Sequence, residues 1–229
     1  MIFEIECESK VGKEPKKHTS DNQDAFFFRK NMKWCCLCLA DGAGSKRHSS
    51  LGAKWMTYDI SEYLIENAER LFDDDESAIR EKIVFQIKKS LNKTVTLQEV
   101  DYSALSSTLI CVLTNGDNCL LLHLGDGVIL AKRKGTLNVL SFPRNGTSKR
   151  STPLTTMDSP ELHLRIQKES CKDISIIWMM TDGAMYEVFK ENYGLNGEEL
   201  SLPLIRTRLS DHNSDDATYG YIKWRRENE

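Results

Sequence analysis

The sequence predicts an α+β domain, and a sandwich of two sheets covered by helices would explain its strands, although periodicity alone does not fix that topology. Two strand-like runs lead into two amphipathic helical stretches, and a series of short strand-like runs follows. The later runs are apolar on both faces, as strands covered on each side must be. No internal repeat, low-complexity tract or linker divides the chain, so a single domain over residues 1–229 is expected.

In order, Ile2–Cys7 reads as a first strand, and the polar, lysine-rich stretch Val11–Asp21 as a loop. Ala25–Arg29 and Trp34–Ala40 read as strands joined by a turn near Lys30-Asn31, the second apolar on both faces and therefore central. Ser49 or Ser50 is a candidate cap for a helix from Leu51 to about Leu71, with Ala53, Met56, Ile60, Leu64, Ala68 and Leu71 on one face. Asp73–Glu76 breaks the pattern, and a second helix is expected from about Ser77 to Asn92. Ser107–Thr114, Cys119–Gly125, Val128–Arg133 and Leu137–Ser141, separated by Gly-containing turns, read as an antiparallel meander. Glu161–Gln167 alternates like a half-exposed strand, Ile174–Met180 reads as a buried one, and Ala217–Trp224 as the closing strand. Helical stretches are expected at Met185–Lys190 and at Gly197–Leu209, the latter interrupted near Pro203.

Composition excludes several classes. Hydrophobic content is 40% and charged content 28%, ordinary for a globular chain, and the formal net charge of -3 gives no bulk attraction to nucleic acid. No apolar run approaches the roughly 20 residues that cross a bilayer, so no membrane partner is expected. Met1–Lys10 is acidic and unlike a signal peptide. The seven cysteines lie mostly inside apolar runs without C-x-x-C spacing, so they read as reduced, buried and cytoplasmic.

The chemistry lies in the carboxylates. Asp41-Gly42, Asp126-Gly127 and Asp182-Gly183 each end an apolar run, and Asp215-Asp216 precedes the last one. Strands that finish in carboxylates can bring them together at one sheet edge, where they repel unless they share cations. All-oxygen sites suit Mg²⁺ or Mn²⁺.

Asn22-Gln23-Asp24-Ala25, Ala40-Asp41-Gly42-Ala43-Gly44-Ser45, Ser107-Thr108-Leu109, Leu124-Gly125-Asp126-Gly127-Val128, Met180-Thr181-Asp182-Gly183 and Ser214-Asp215-Asp216-Ala217-Thr218 appear in that order. This series resembles the metal-dependent serine/threonine phosphatases of type 2C, in particular their small bacterial branch, from about residue 20 to residue 222. The resemblance implies two packed antiparallel sheets with helices on both sides, an α-β-β-α sandwich. It implies two Mn²⁺ or Mg²⁺ ions and a third near Asp126. Asp41 would bridge two ions, the Gly42 carbonyl would bind one of them, and Asp182 and Asp215 would bind the other. Asp24 would hold water of the cluster directly or as an outer acceptor. The implied reaction is hydrolysis of phosphoserine and phosphothreonine by a metal-activated water, on a phosphorylated protein supplied by a cognate kinase. No sensor or membrane domain is expected on the chain.

The chain departs from the family pattern at several positions. Ala43 stands where many eukaryotic members have a histidine, and His48 is placed either to approach the cluster or to cap the following helix. The phosphate-binding arginine has no counterpart; Lys17 and His18, beside Lys16, are the candidate substitutes, with a solvated basic loop as the alternative. Gln23 replaces a frequent glutamate, which removes a charge beside Asp24. Asp215 is preferred to Asp216 because it stands three residues before Thr218. Phe142–Asp158 is the expected flap, with Arg144, Lys149 and Arg150 available to phosphopeptide charge. His123 reads as a satisfied core histidine. Two rival functions stay open at this level: a non-catalytic phosphoprotein binder, and a metal-dependent phosphatase of small molecules or nucleotides.

Overall fold

The structure, a computed structural model, describes residues 1–13, 21–142, 152–189, 199–209 and 214–225. Two five-stranded antiparallel sheets form the centre. One runs in the order β1 (Ile2–Lys10), β10 (Ala217–Arg225), β9 (Ile174–Met180), β6 (Val128–Arg133), β7 (Thr136–Ser141). The other runs β2 (Ala25–Lys30), β3 (Cys35–Ala40), β4 (Leu109–Thr114), β5 (Asn118–Leu124), β8 (Arg165–Ser170). Helices α1 (Ser49–Glu66), α2 (Ala68–Asp73) and α3 (Glu76–Gln98) cover the second sheet; α4 (Asp182–Val188) and α5 (Leu202–Leu209) cover the first. The sandwich expected from the sequence is therefore present.

Strand alternation explains the layering. On β3, Cys36 and Cys38 face the helices with Met56, Ile60 and Ile83, while Cys35, Leu37 and Leu39 face the other sheet with Val112, Ile129, Met179 and Ile222. A third apolar layer joins Trp178, Met180 and Tyr219 to Val188 and Ile205 of α4 and α5. The cysteines are all free, and six are buried. Burial pushes the Cys36 and Cys38 thiols well above their ordinary range, which makes them inert core residues.

Several boundaries differ from expectation, each for a local reason. The meander is cut in two: β4–β5 and β6–β7 are hairpins in different sheets, and the chain crosses between them at Gly125-Asp126-Gly127. Gly125 has φ 128°, and a Cβ there would lie 2.6 Å from the Thr108 side chain, so only glycine makes this crossing. The first helix divides at Asn67, whose backbone N–H and side-chain amide both donate to Tyr63 O. The second helix continues past Asn92 to Gln98, where Thr94 is buried and Val95 packs on the core, and Glu99 ends it in the left-handed conformation at φ 53°. Pro203 does not interrupt α5 but sits in its first turn, where its missing N–H is no loss. Pro160–Leu162 forms a 3₁₀ turn, so the strand expected from Glu161 begins at Arg165.

Candidate metal centre

Topology brings the acidic turns to one end of the sandwich. β3 and β5 are both antiparallel to β4, so their C-terminal turns, with Asp41 and Asp126, lie on the same side. In the other sheet Met180 pairs with Val128 and with Tyr219. The C-terminus of β9, with Asp182, therefore adjoins the N-termini of β6 and β10, where Gly127 and Asp215-Asp216 sit. Asp24 immediately precedes β2, whose Ala25 pairs with Ala40.

Oxygen atoms of Asp41, Asp126 and Asp182 lie within 4.8 Å of one another. They line a cleft of about 560 Å³ together with Gln23, Gly42, Thr108, Thr152, Asp215 and others. A larger hollow of about 650 Å³ lies between the β2–β3 turn and α2, at the opposite end of β2 and β3. The clustered aspartates lie in the smaller cleft.

The electrostatics are those of crowded, mutually repelling carboxylates. Burial, then the charges of Asp24, Asp182, Asp126 and Asp215, push the Asp41 carboxyl well above the usual carboxylate range. Burial pushes Asp24 up to about 7 against the opposing hydrogen bond from Thr181. Among the described residues, Asp24 Oδ1 and Asp126 Oδ1 are buried and meet no N–H or hydroxyl donor. Orphaned buried carboxylate oxygens in an all-oxygen donor set fit divalent cations such as Mg²⁺ or Mn²⁺.

Neighbouring hydroxyls aim the carboxylates, a role that the sequence did not disclose although Thr181 stands inside a motif; Thr152 stands in none. Thr181 Oγ1 donates to Asp24 Oδ2 at 2.8 Å, and Thr152 Oγ1 donates to Asp126 Oδ2 at 2.6 Å. Thr108 N–H donates to Asp41 O at 2.8 Å, while Asp41 N–H donates to Thr108 Oγ1 at 2.9 Å. Gly42 N–H donates to Gln23 O, and a Cβ on Gly42 would lie 2.6 Å from that oxygen.

Asp215 and Asp216 divide into two roles. Asp216 is 3% exposed and its carboxylate accepts from Gly12 N–H at 2.8 Å and Gln23 N–H at 2.6 Å, so it ties the strand ends together. Asp215 lines the cleft and its charge adds to the pressure on Asp41. Gln23 is a brace: its amide donates to Ser49 Oγ at 2.7 Å and Lys46 O at 3.4 Å. Ser49 Oγ in turn donates to Lys46 O, so neither candidate serine caps α1. His48 occupies the N-cap position without a side-chain bond to the helix, and it does not line the cleft. His123 is buried; its Nδ1 lies 2.8 Å from Arg165 Nη2 and 2.8 Å from Ser141 Oγ, and burial lowers its pKa to about 3. It is a neutral core histidine. Lys17, His18, Arg144, Lys149 and Arg150 lie outside the described residues.

This architecture and acidic cleft define a class, and direct comparison gives it a name. Residues 11–216 match the family model described as protein phosphatase 2C. The chain belongs to that family of serine/threonine protein phosphatases. The serine/threonine phosphatase of S. agalactiae superposes with a TM-score of 0.72 at 18% identity, over 98% of this chain and 100% of that one. Stp1 from Staphylococcus aureus gives 0.71 at 16% identity, over 99% and 96%. The catalytic domain of the phosphatase PstP, solved in complex with two manganese ions, gives 0.62 at 13%, over 96% and 97%. At these identities the likeness concerns the fold. No curated protein matches the chain.

Proposed function

We propose that residues 1–229 form one catalytic domain that hydrolyses phosphoserine and phosphothreonine in proteins, with two Mn²⁺ or Mg²⁺ ions and a place for a third at Asp126. The observation that carries this reading is the approach of the Asp41, Asp126 and Asp182 oxygens within 4.8 Å, beside orphaned oxygens of Asp24 and Asp126. The manganese reported for PstP agrees with the oxygen donors here. When bound, such ions supply a Lewis acid for phosphoryl oxygens and acidify water.

The chain's own residues do the rest. Asp41, the Gly42 carbonyl, Asp182 and Asp215 would hold the ions. Asp24, fixed on one oxygen by Thr181, uses the other to orient water entering the cluster. Short aspartates on strand ends place these groups more rigidly than glutamates on loops. Lys17 and His18 are the proposed phosphate contacts. A cognate kinase supplies the substrate, in the cytoplasm; no helix of the described residues is long and apolar enough to cross a membrane.

The test is hydrolysis of p-nitrophenyl phosphate and of a phosphothreonine peptide by the purified chain with Mn²⁺. Activity on both, removed by chelator and by Asp41→Asn or Asp182→Asn, supports the reading. Binding of phosphopeptide without turnover would leave only the non-catalytic rival, and turnover confined to nucleotides the small-molecule one.

A further inference from the structure

One wall of the acidic cleft leads directly into a basic run. Residues 43–48, Ala-Gly-Ser-Lys-Arg-His, connect the Asp41-Gly42 turn to α1, and Ala43, Gly44 and Ser45 line the cleft. The segment is braced along its length. Ala43 N–H donates to Ser106 O at 3.0 Å, Lys46 N–H to Ala43 O at 2.9 Å, and His48 N–H to Ala104 O at 3.2 Å. The buried Gln23 amide and the Ser49 hydroxyl both donate to Lys46 O. A backbone pinned at both ends and in the middle presents its side chains from a fixed place.

Lys46 is half-buried and Arg47 exposed, and neither side chain has an ion pair or hydrogen bond among the described residues. Lys46 follows the cleft-lining Ser45 by one peptide step of about 3.8 Å and Arg47 by two, so both cations stand beside the mouth in the chain.

The charge of the cleft gives these cations a task. Among the described residues its lining carries Asp41, Asp126, Asp182, Asp215 and Asp216, and no Lys, Arg or His. Against these five carboxylates two divalent cations would leave a net charge of about −1 and a third about +1, so the cleft has little positive field to offer beyond the phosphoryl group. Acidic side chains flanking the phosphosite would meet net repulsion unless the mouth supplied cations.

We propose that Lys46 and Arg47 are specificity-determining residues that select phosphosites flanked by Asp or Glu. The proposal rests on the metal-dependent phosphoprotein phosphatase reading above. Exposed charge contacts of this kind are each worth a few-fold, so the pair gives a preference of about tenfold.

The experiment compares kcat/KM of the full chain, with Mn²⁺, on two phosphothreonine peptides that differ only in flanking Asp/Glu against Asn/Gln. p-Nitrophenyl phosphate serves as the flank-free substrate. The wild type is expected to favour the acidic peptide about tenfold, chiefly through KM and more strongly at low salt. In K46Q/R47Q the ratio is expected to fall to about one, and in K46E/R47E to invert. Thermal melts check folding, and K46Q/R47Q alone decides if the charge reversal does not fold. A wild type active on p-nitrophenyl phosphate but indifferent to the flanks overturns the proposal alone. So does a preference that survives K46Q/R47Q. A wild type inactive on every substrate overturns the phosphatase reading and this one with it.

Discussion

The Thr181 hydroxyl donates to Asp24 Oδ2 at 2.8 Å and joins the end of β9 in one sheet to the start of β2 in the other. The same hydroxyl accepts the Thr218 N–H at 2.9 Å. Thr181→Val keeps the shape and removes both partnerships, leaving a buried carboxylate oxygen and a buried N–H unpaired. The expected cost is about 1–3 kcal/mol in urea unfolding, with a larger loss of hydrolysis than of stability. An unchanged urea midpoint would refute this assignment.

Asp24 also sets a pH dependence. Its folded pKa is pushed up to about 7, above the unfolded value near 3.8. From pH 4 to 7 the folded state therefore holds a proton that the unfolded chain has released, and metal-free stability falls as pH rises through that window, by up to about 1.4 kcal/mol per unit. Asp24→Asn is expected to flatten the slope in thermal melts with chelator present. A wild-type profile rising from pH 4 to 7 would contradict it.

The same reasoning separates stability from function at Asp41. Its carboxyl is raised by burial and by the four aspartates around it, so in the metal-free protein it destabilises at neutral pH. Asp41→Asn is expected to melt higher than wild type in chelator at pH 8, and about equally at pH 4. With Mn²⁺ the order reverses: wild type gains about 2.7 kcal/mol at a hundredfold excess over Kd, and the variant gains little. Equal manganese-induced shifts in calorimetry would remove Asp41 from the centre.

Much of this was legible in the sequence, because it depends on features that the sequence displays. Apolar runs that end in Asp-Gly mark strand ends, and while one such turn is ordinary, several ordered acidic motifs at the ends of such runs point to a cluster. The layered fold followed from runs apolar on both faces, such as Cys35–Ala40. The assignment of the two middle hairpins to different sheets was hidden, since the Gly125-Asp126-Gly127 crossing reads like any tight turn. The task of Gln23 was hidden for a similar reason. Its partners Lys46 O and Ser49 Oγ come from a different segment, and no local pattern announces a long-range brace.

Asp215 and Asp216 are adjacent, yet their substitutions should separate. Asp216→Ala leaves the Gly12 and Gln23 N–H groups without an acceptor and is expected to cost about 3 kcal/mol, with activity falling as structure is lost. Asp215→Ala loses the acceptor of the Asp216 N–H at 3.0 Å, so it is expected to cost about 1 kcal/mol, less than Asp216→Ala, and to abolish manganese-dependent turnover. If Asp215→Ala retained turnover while Asp216→Ala kept its stability, the two roles would have to be exchanged.

Gly183 tests how closely the two acidic turns are packed. A Cβ at this position would lie 2.0 Å from Asp216 O and 3.3 Å from Asp215 Cβ. The first of these is backbone, so nothing flexible can yield. Gly183→Ala must force α4 away from the start of β10, which displaces Asp182 from Asp215. A destabilisation of about 3 kcal/mol is expected, at the upper end for overpacking, together with weaker manganese binding by titration calorimetry.

Gln23→Glu restores the acidic residue common at this place in the family, and it is expected to impair this chain. Gln23 is 2% exposed, and its amide nitrogen donates to Ser49 Oγ and Lys46 O. A glutamate keeps the shape but cannot donate when ionised, so its oxygen would face the Lys46 carbonyl. Ser49 Oγ has a single proton, which now goes to Lys46 O, and would have to choose between the new oxygen and that carbonyl. Burial and the nearby Asp216 both oppose ionisation, so the new carboxyl would titrate above the usual range and lower stability further as pH rises. The expected cost is about 1–3 kcal/mol at neutral pH and less at pH 4, measured by urea unfolding with chelator. A gain in stability at pH 7, or a cost equal at both pH values, would show that the brace of residues 43–48 does not depend on the Gln23 amide.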